Sequence, residues 1–254
     1  MNFSKLKKAV SSVTAAVLCV TMAFGTAVSA DNSDVWKETK ALTSAKYNSK
    51  YIKLVEKYSK KETKNTVTFS KSKTKKFIEK QIKALKKDNP QFAVSAISKD
   101  EIAYVSYKGD KIKIVMYTDG EGLAIYTNPN EMTMLSVSDK EKIVMPMTDD
   151  IGYDDLMGQM LDSFGNFNDE EYYENLGIAD NAKGKYYKIK SDDKIYYYEE
   201  FKSSEYDKYG FLFNEKGNPI AMIGDDVIGC FSISYSVKDS DFKVPSGYKE
   251  VSLY

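Results

Sequence analysis

The chain has 254 residues, with no histidine, no arginine, one tryptophan and two cysteines. The missing histidine removes the Ser/His/Asp and Cys/His catalytic constellations, together with every imidazole metal ligand. The missing arginine removes the bidentate fork for phosphate, so lysine must meet any anion as a point charge. Cys19 falls in a segment expected to be cleaved, which leaves Cys230 alone. An intrachain disulfide and a thiolate cluster are thereby excluded, and Cys230 is expected to be a buried, inert thiol. No Gly-rich loop precedes a Lys-Ser/Thr pair, so there is no P-loop. The remaining candidates for acid-base or calcium chemistry are Asp149-Asp150, Asp154-Asp155 and Glu199-Glu200. Adjacent acids are common at helix starts and strand edges, and are read that way here. A protein without enzymatic activity, cofactor or metal is expected.

Lys5, Lys7 and Lys8 precede an uncharged run from Ala9 to Ala30 that ends in Val28-Ser29-Ala30. A basic start, an apolar middle and a small-x-small ending predict a signal peptide over residues 1–30, hence export. Leu18 before Cys19 is too bulky for a lipoprotein signal, and no other run is long enough to span a bilayer. A secreted, extracytoplasmic protein of the bacterial envelope is expected. Cleavage would leave 224 residues, with 34 lysines against 37 acids and a net charge of −3.

That small net charge hides an asymmetry. Residues 31–90 carry 17 lysines against 7 acids, whereas residues 148–208 carry 16 acids against 7 lysines. The basic half suits an anionic wall polymer or lipid headgroups. Nucleic acid is not expected as a partner.

Residues 31–70 read as a basic, partly ordered arm, in which Tyr51–Tyr58 suits a short helix and Thr66–Phe69 a short strand. Residues 71–254 read as one domain. A helix over Ser72–Lys87 places Phe77, Ile78, Ile82 and Leu85 on one stripe and lysines almost everywhere else. Six strands follow: 92–98, 101–108, 111–118, 123–127, 132–137 and 142–147. Gly109-Asp110 and Asp119-Gly120 supply hairpin turns. Two helices, Tyr153–Phe164 and Asp169–Leu176, come next, each with an acidic first turn. A meander closes the chain with strands at 186–190, 194–201, 209–214, 220–223 and 227–237, and a turn at Lys216-Gly217-Asn218. In Phe231-Ser232-Ile233-Ser234-Tyr235-Ser236-Val237 the apolar residues alternate with serine, which predicts a strand buried on one face. The short connections require antiparallel pairing. The predicted class is α+β, with a large antiparallel sheet of about 10–11 strands covered by two or three helices, and a sheet of that size is expected to curl.

Seven methionines lie between Met116 and Met160. Met132/Met134 and Met145/Met147 are spaced by two, so each pair shares a strand face. Together with Met157 and Met160 they are the candidate ligand-binding residues, because flexible thioethers accept variable apolar shapes. A Met-rich core explains the same pattern. The tyrosine runs Tyr186-Tyr187 and Tyr196-Tyr197-Tyr198 need no ligand, since tyrosine is a favoured strand residue.

Several of these features together resemble the LolA-like lipoprotein-carrier and mycobacterial-type lipoglycan-carrier family. They are the helix-first layout, the strands around Lys108-Gly109-Asp110, the Tyr117-Thr118-Asp119-Gly120 turn leading to Ala124-Ile125-Tyr126, and the ending Asp241-Phe242-Lys243-Val244-Pro245-Ser246-Gly247-Tyr248. The resemblance covers about residues 70–254. It implies an open half-barrel whose concave face is lidded by helices and holds acyl chains. Two functions are expected of the chain, the first as the leading one and the second, which rests on the basic segment and not on the resemblance, as its alternative. One is the binding of a hydrophobic or lipid-like ligand. The other is an envelope or cell-wall interaction module with a filled core, which binds anionic polymer through Lys71–Lys87.

Overall fold

The computed structural model describes residues 46–87, 89–99, 102–118, 121–128, 133–138, 142–147, 177–202, 207–224, 228–244 and 246–251. The helices expected at Tyr153–Phe164 and Asp169–Leu176 lie outside the described residues, as does the Asp119-Gly120 turn. Helix α1 (Ser49–Ser59) and strand β1 (Thr66–Thr68) precede helix α2 (Lys73–Leu85). Then come β2 (Gln91–Ile97), β3 (Ile102–Lys108), β4 (Lys111–Thr118), β5 (Glu121–Asn128), β6 (Thr133–Ser138) and β7 (Ile143–Met147). The closing meander is β8 (Lys183–Ser191), β9 (Lys194–Phe201), β10 (Tyr209–Phe213), β11 (Pro219–Ile223) and β12 (Ile228–Ser234), and β13 (Lys249–Glu250) ends the series.

All thirteen strands form one sheet in the order β1-β8-β9-β10-β11-β12-β2-β3-β4-β5-β6-β7-β13. Every pairing is antiparallel except that of β13 with β7. The sheet has two ends, β1 and β13, and is not closed into a barrel. Two hairpin meanders are thus joined where β12 pairs with β2, Phe231 opposite Ala96. Two turns show how local sequence sets the path. Asp192 and Asp193 adopt φ of 48° and 56° between β8 and β9, an arrangement that matches strand twist and that short acidic side chains tolerate. Phe201 of β9 lies across Gly184 of β8, where an added Cβ would stand 2.5 Å from the ring and 2.6 Å from the Glu200 carbonyl.

The alternating pattern in β12 led to the expectation of one wet face. The structure covers both. Adjacent residues point to opposite sides of a strand, and here they meet different helices. Phe77 of α2 packs edge-on to Phe231 at 5.5 Å, whereas the Asn48 amide at the cap of α1 donates to Sγ of neighbouring Cys230 at 3.1 Å. Likewise Lys73 of α2 sits over Tyr197, and Tyr51 of α1 packs edge-on to Tyr196. The sequence pattern misleads because serine is small and neutral, so Ser232 and Ser234 can be partly covered without a charge penalty.

Beneath α2 the core is aromatic. Phe77, Phe211, Phe213, Phe231, Tyr209 and Phe201 are all buried and in one apolar cluster with Ile78 and Ile82. Burying each side chain contributes about 1.5–3 kcal/mol. On the other face α1 packs Val55 against Tyr196, Tyr198, Leu212, Ala221 and Ile223.

The remainder of that second face is covered by the segment after β12. Val237, Phe242, Val244 and Tyr248 pack on Ala93, Tyr104, Val115, Ala124, Tyr126 and Val144, and the chain then pairs with β7. This carboxyl-terminal strap is pinned to the β3–β4 hairpin by Asp239, which accepts from Lys108 at 2.9 Å and Lys111 at 3.0 Å. These hydrogen bonds hold the Asp239 carboxyl down at about 2. A lowered carboxyl favours the folded state fully above its unfolded value, near 3.8, and loses that contribution as pH falls through about 2. NMR titration of Asp239 is therefore expected to give a midpoint near 2, and Lys108→Met with Lys111→Met should return it toward the ordinary carboxylate range.

Candidate functional site

Helix α2 carries lysines on both flanks, and the structure sorts them. Lys75 ion-pairs with Asp180 and is neutralised there. Lys73, Lys76 and Lys80, spaced three and four residues apart, line up along the other flank. They wall a groove of about 310 Å³ whose opposite wall is Lys216-Gly217-Asn218, the turn between β10 and β11. Its floor is Phe77, Pro219, Ile233 and Tyr235. Gly217 holds φ at +79°, and the Asn214 side chain accepts from the Asn218 amide at 3.0 Å, so the turn that presents Lys216 is internally fixed.

No carboxylate lines the groove, and none of its four lysines has an ion-pair partner among the described residues. Two of the ammonium groups rest on aromatic rings instead. Lys73 Nζ lies 4.3 Å from the ring centre of Tyr197, and Lys80 Nζ lies 4.7 Å from that of Tyr235. Tyr197 in turn stacks with Tyr186 at 6.3 Å. The result, among the described residues, is a strip of unpaired positive charge over an apolar floor, which attracts anions and concentrates them locally.

What holds this wall in place is a buried acid. Glu199 on β9 is 1% exposed. Its carboxylate accepts from the amides of Lys73 at 3.0 Å and Thr74 at 2.9 Å, and from the Thr74 hydroxyl at 2.8 Å. Ser72 caps the same helix, accepting from the Lys75 amide at 2.9 Å. The first turn of α2 is thereby satisfied by one cap and one carboxylate, the charge that suits a helix amino terminus. The Glu199-Glu200 pair, read from sequence as a solvated strand edge, is buried: Glu200 is 5% exposed, accepts from the Tyr198 hydroxyl, and pairs with Lys185 at 3.2 Å. Burial, with the Glu200 carboxylate beside it, pushes the Tyr198 phenol far above its ordinary value.

A second polar group lies under the carboxyl-terminal strap. Tyr104, Lys113, Tyr126 and Asp241 are each at most 1% exposed, and Lys113 Nζ lies 5.0 Å from the ring centre of Tyr126. Burial raises the Tyr104 phenol, and the Asp241 charge adds to that. The cluster is sealed beneath the strap and serves to anchor it. Cys230 is the buried thiol that was expected, its pKa raised by burial against the opposing Asn48 hydrogen bond.

The methionine candidates divide. Met132, Met157 and Met160 lie outside the described residues. Register pairs Met134 with Met147 across β6 and β7, and Met145 with Ser136, which places these three methionines on one face of the sheet. The lysines of α2 were legible as a basic segment. Lys216, Pro219, Ile233 and Tyr235 were not, because only the fold of β10–β12 brings them alongside the helix.

No family model matches the chain, and no curated protein matches it. Among solved structures, an uncharacterized conserved protein from Thermus thermophilus is similar over 70% of this chain and 99% of its own, at 8% identity and a TM-score of 0.34. A likeness at that level carries no argument about fold or function.

Proposed function

We propose that the protein is an exported, non-enzymatic binding module that captures an anionic polymer of the cell envelope along the α2 groove. The observation that carries this reading is the groove itself: four lysines, no carboxylate among the described residues that line it, and a wall fixed by Glu199. The packed interface beneath α2 supports it further, since Phe77, Ile78 and Ile82 are at most 5% exposed and belong to one buried cluster with sheet residues, Phe77 meeting Phe211. Lysine binds phosphate or carboxylate as a point charge, so affinity comes from the number of contacts and falls steeply with salt. The test is fluorescence anisotropy with a labelled long-chain polyphosphate at low and high ionic strength. Micromolar binding that weakens at least tenfold between about 50 and about 500 mM salt is expected, on the order of the screening of several exposed contacts. Equal binding by a Lys73→Glu, Lys76→Glu, Lys80→Glu variant would reject the groove.

A second reading rests on the register of Met134, Met145 and Met147 on one face. In it the sheet curves as a half-barrel, and helices lid its concave face over a lipid-like ligand. Native mass spectrometry of protein from its own host would show a co-purifying lipid if this reading holds. Absence of both a bound lipid and micromolar fatty-acid binding would end it.

A further inference from the structure

Resting on the groove reading, we propose that Tyr197 and Tyr235 are positioning residues that set the spacing of the groove's cations, so that the site selects a linear polyanion with repeated charges over a single anion. The two tyrosines lie at opposite ends of the lysine row. Each carries one ammonium group on its ring, Lys73 at 4.3 Å and Lys80 at 4.7 Å. Free lysine side chains sample many rotamers, and ordering one to meet an anion costs affinity. An ammonium already resting on a ring gives up less freedom when an anion arrives, and its remaining N–H donors are available to that anion.

The spacing follows from the helix. Seven residues separate Lys73 from Lys80, which at about 1.5 Å per residue is a span of about 10 Å along the axis. Lys76 lies between them on the same flank, and Lys216 faces them across the floor. A single phosphate cannot reach both ends of such a row, whereas an extended chain bearing a charge every few ångströms can. On the flank of α2 that faces away, Lys75 is paired with Asp180. Tyr197 is engaged by Tyr186 and Lys73, and Tyr235 by Lys80, so each ring already holds a cation.

The experiment is competition anisotropy with a labelled long-chain polyphosphate, using orthophosphate, tripolyphosphate, linear polyphosphates of graded length and an oligonucleotide of matched charge. Affinity per phosphate is expected to rise sharply once the chain exceeds about 10 Å, the span of the row. Tyr197→Leu and Tyr235→Leu, which change no charge, are each expected to weaken long-chain binding about two- to fivefold, the worth of an exposed cation–π contact. Their effect on orthophosphate should be smaller. Tyr197→Phe and Tyr235→Phe keep the ring and should bind as the wild type does. Circular dichroism melts confirm that the leucine variants are folded. If the protein binds polyphosphate but shows no length threshold, or if the leucine variants bind like wild type, the positioning role is overturned while the groove reading stands. If the matched oligonucleotide binds more tightly than polyphosphate, the proposed ligand class is overturned. If the wild type binds no polyanion at any length, the groove reading fails first.

Discussion

Phe211→Ala is expected to destabilise the protein by about 3–5 kcal/mol, the range for truncating a fully buried phenylalanine. Phe211 is 0% exposed and contacts four other rings: Phe77 at 5.3 Å, Tyr209 at 5.3 Å, Phe231 at 5.5 Å and Phe213 at 5.9 Å. It is therefore the residue through which α2, β10 and β12 share one core. Phe77 is held by α2, Tyr209 and Phe213 by β10 itself and Phe231 by β12, so these rings cannot close in together and a cavity remains. For a domain of this size the loss corresponds to a fall in Tm on the order of 10 °C. Thermal unfolding followed by circular dichroism measures it. A fall under about 2 °C would mean that the aromatic cluster does not bear on folding as described.

Glu199→Ala is expected to cost about 2–4 kcal/mol, because it leaves the half-buried Lys73 amide and the buried amide and hydroxyl of Thr74 without their charged acceptor. Glu199→Gln keeps the shape and one carbonyl acceptor, so roughly half that loss is expected. The pair separates charge from packing. The same substitutions loosen the amino-terminal turn that carries Lys73, so both should weaken polyanion binding under conditions where the protein remains folded. Denaturant unfolding and the anisotropy titration read the two effects. A Glu199→Ala variant with wild-type stability would show that α2 is held by its apolar stripe alone.

The strands were largely legible because their punctuation is strong. Lys111–Thr118 and Lys194–Phe201 coincide with the observed strands, the other expected strands are displaced by a residue or two, up to three at the start of β8 and at the end of β12, and β13 was not expected. Ser72 caps α2. What sequence could not show is which element covers which face. The stretch read as a partly ordered arm, with a short helix at Tyr51–Tyr58 and a short strand at Thr66–Phe69, supplies α1 and β1, and packs them onto the sheet: Val55 is buried and Tyr51 and Leu54 pack against the same core. Composition does not reveal that packing. The strap after β12 was equally hidden: Val237, Phe242, Val244 and Tyr248 are spaced irregularly, and no helical or strand period reveals that they cover one surface.

The candidate site followed the same division. The basic face of α2 can be read from the sequence, but the neutralising partner of Lys75 lies 105 residues away and the ring under Lys73 lies 124 residues away. Long-range pairing decides which lysines are compensated and which are not. The buried state of Glu199 was likewise invisible, because an acid next to another acid reads as surface until a helix amino terminus is placed upon it.

Because the chain has no arginine, its lysines are its only side-chain cations, and an amine-reactive footprint reads them all. The protein would be acetylated under limiting reagent with and without saturating long-chain polyphosphate, and each lysine quantified by mass spectrometry. The account predicts strong protection at Lys73, Lys76, Lys80 and Lys216 and little change at Lys75, Lys108 and Lys111, whose carboxylate partners lie outside the groove. Protection spread evenly over the lysines, or centred away from α2, would contradict it.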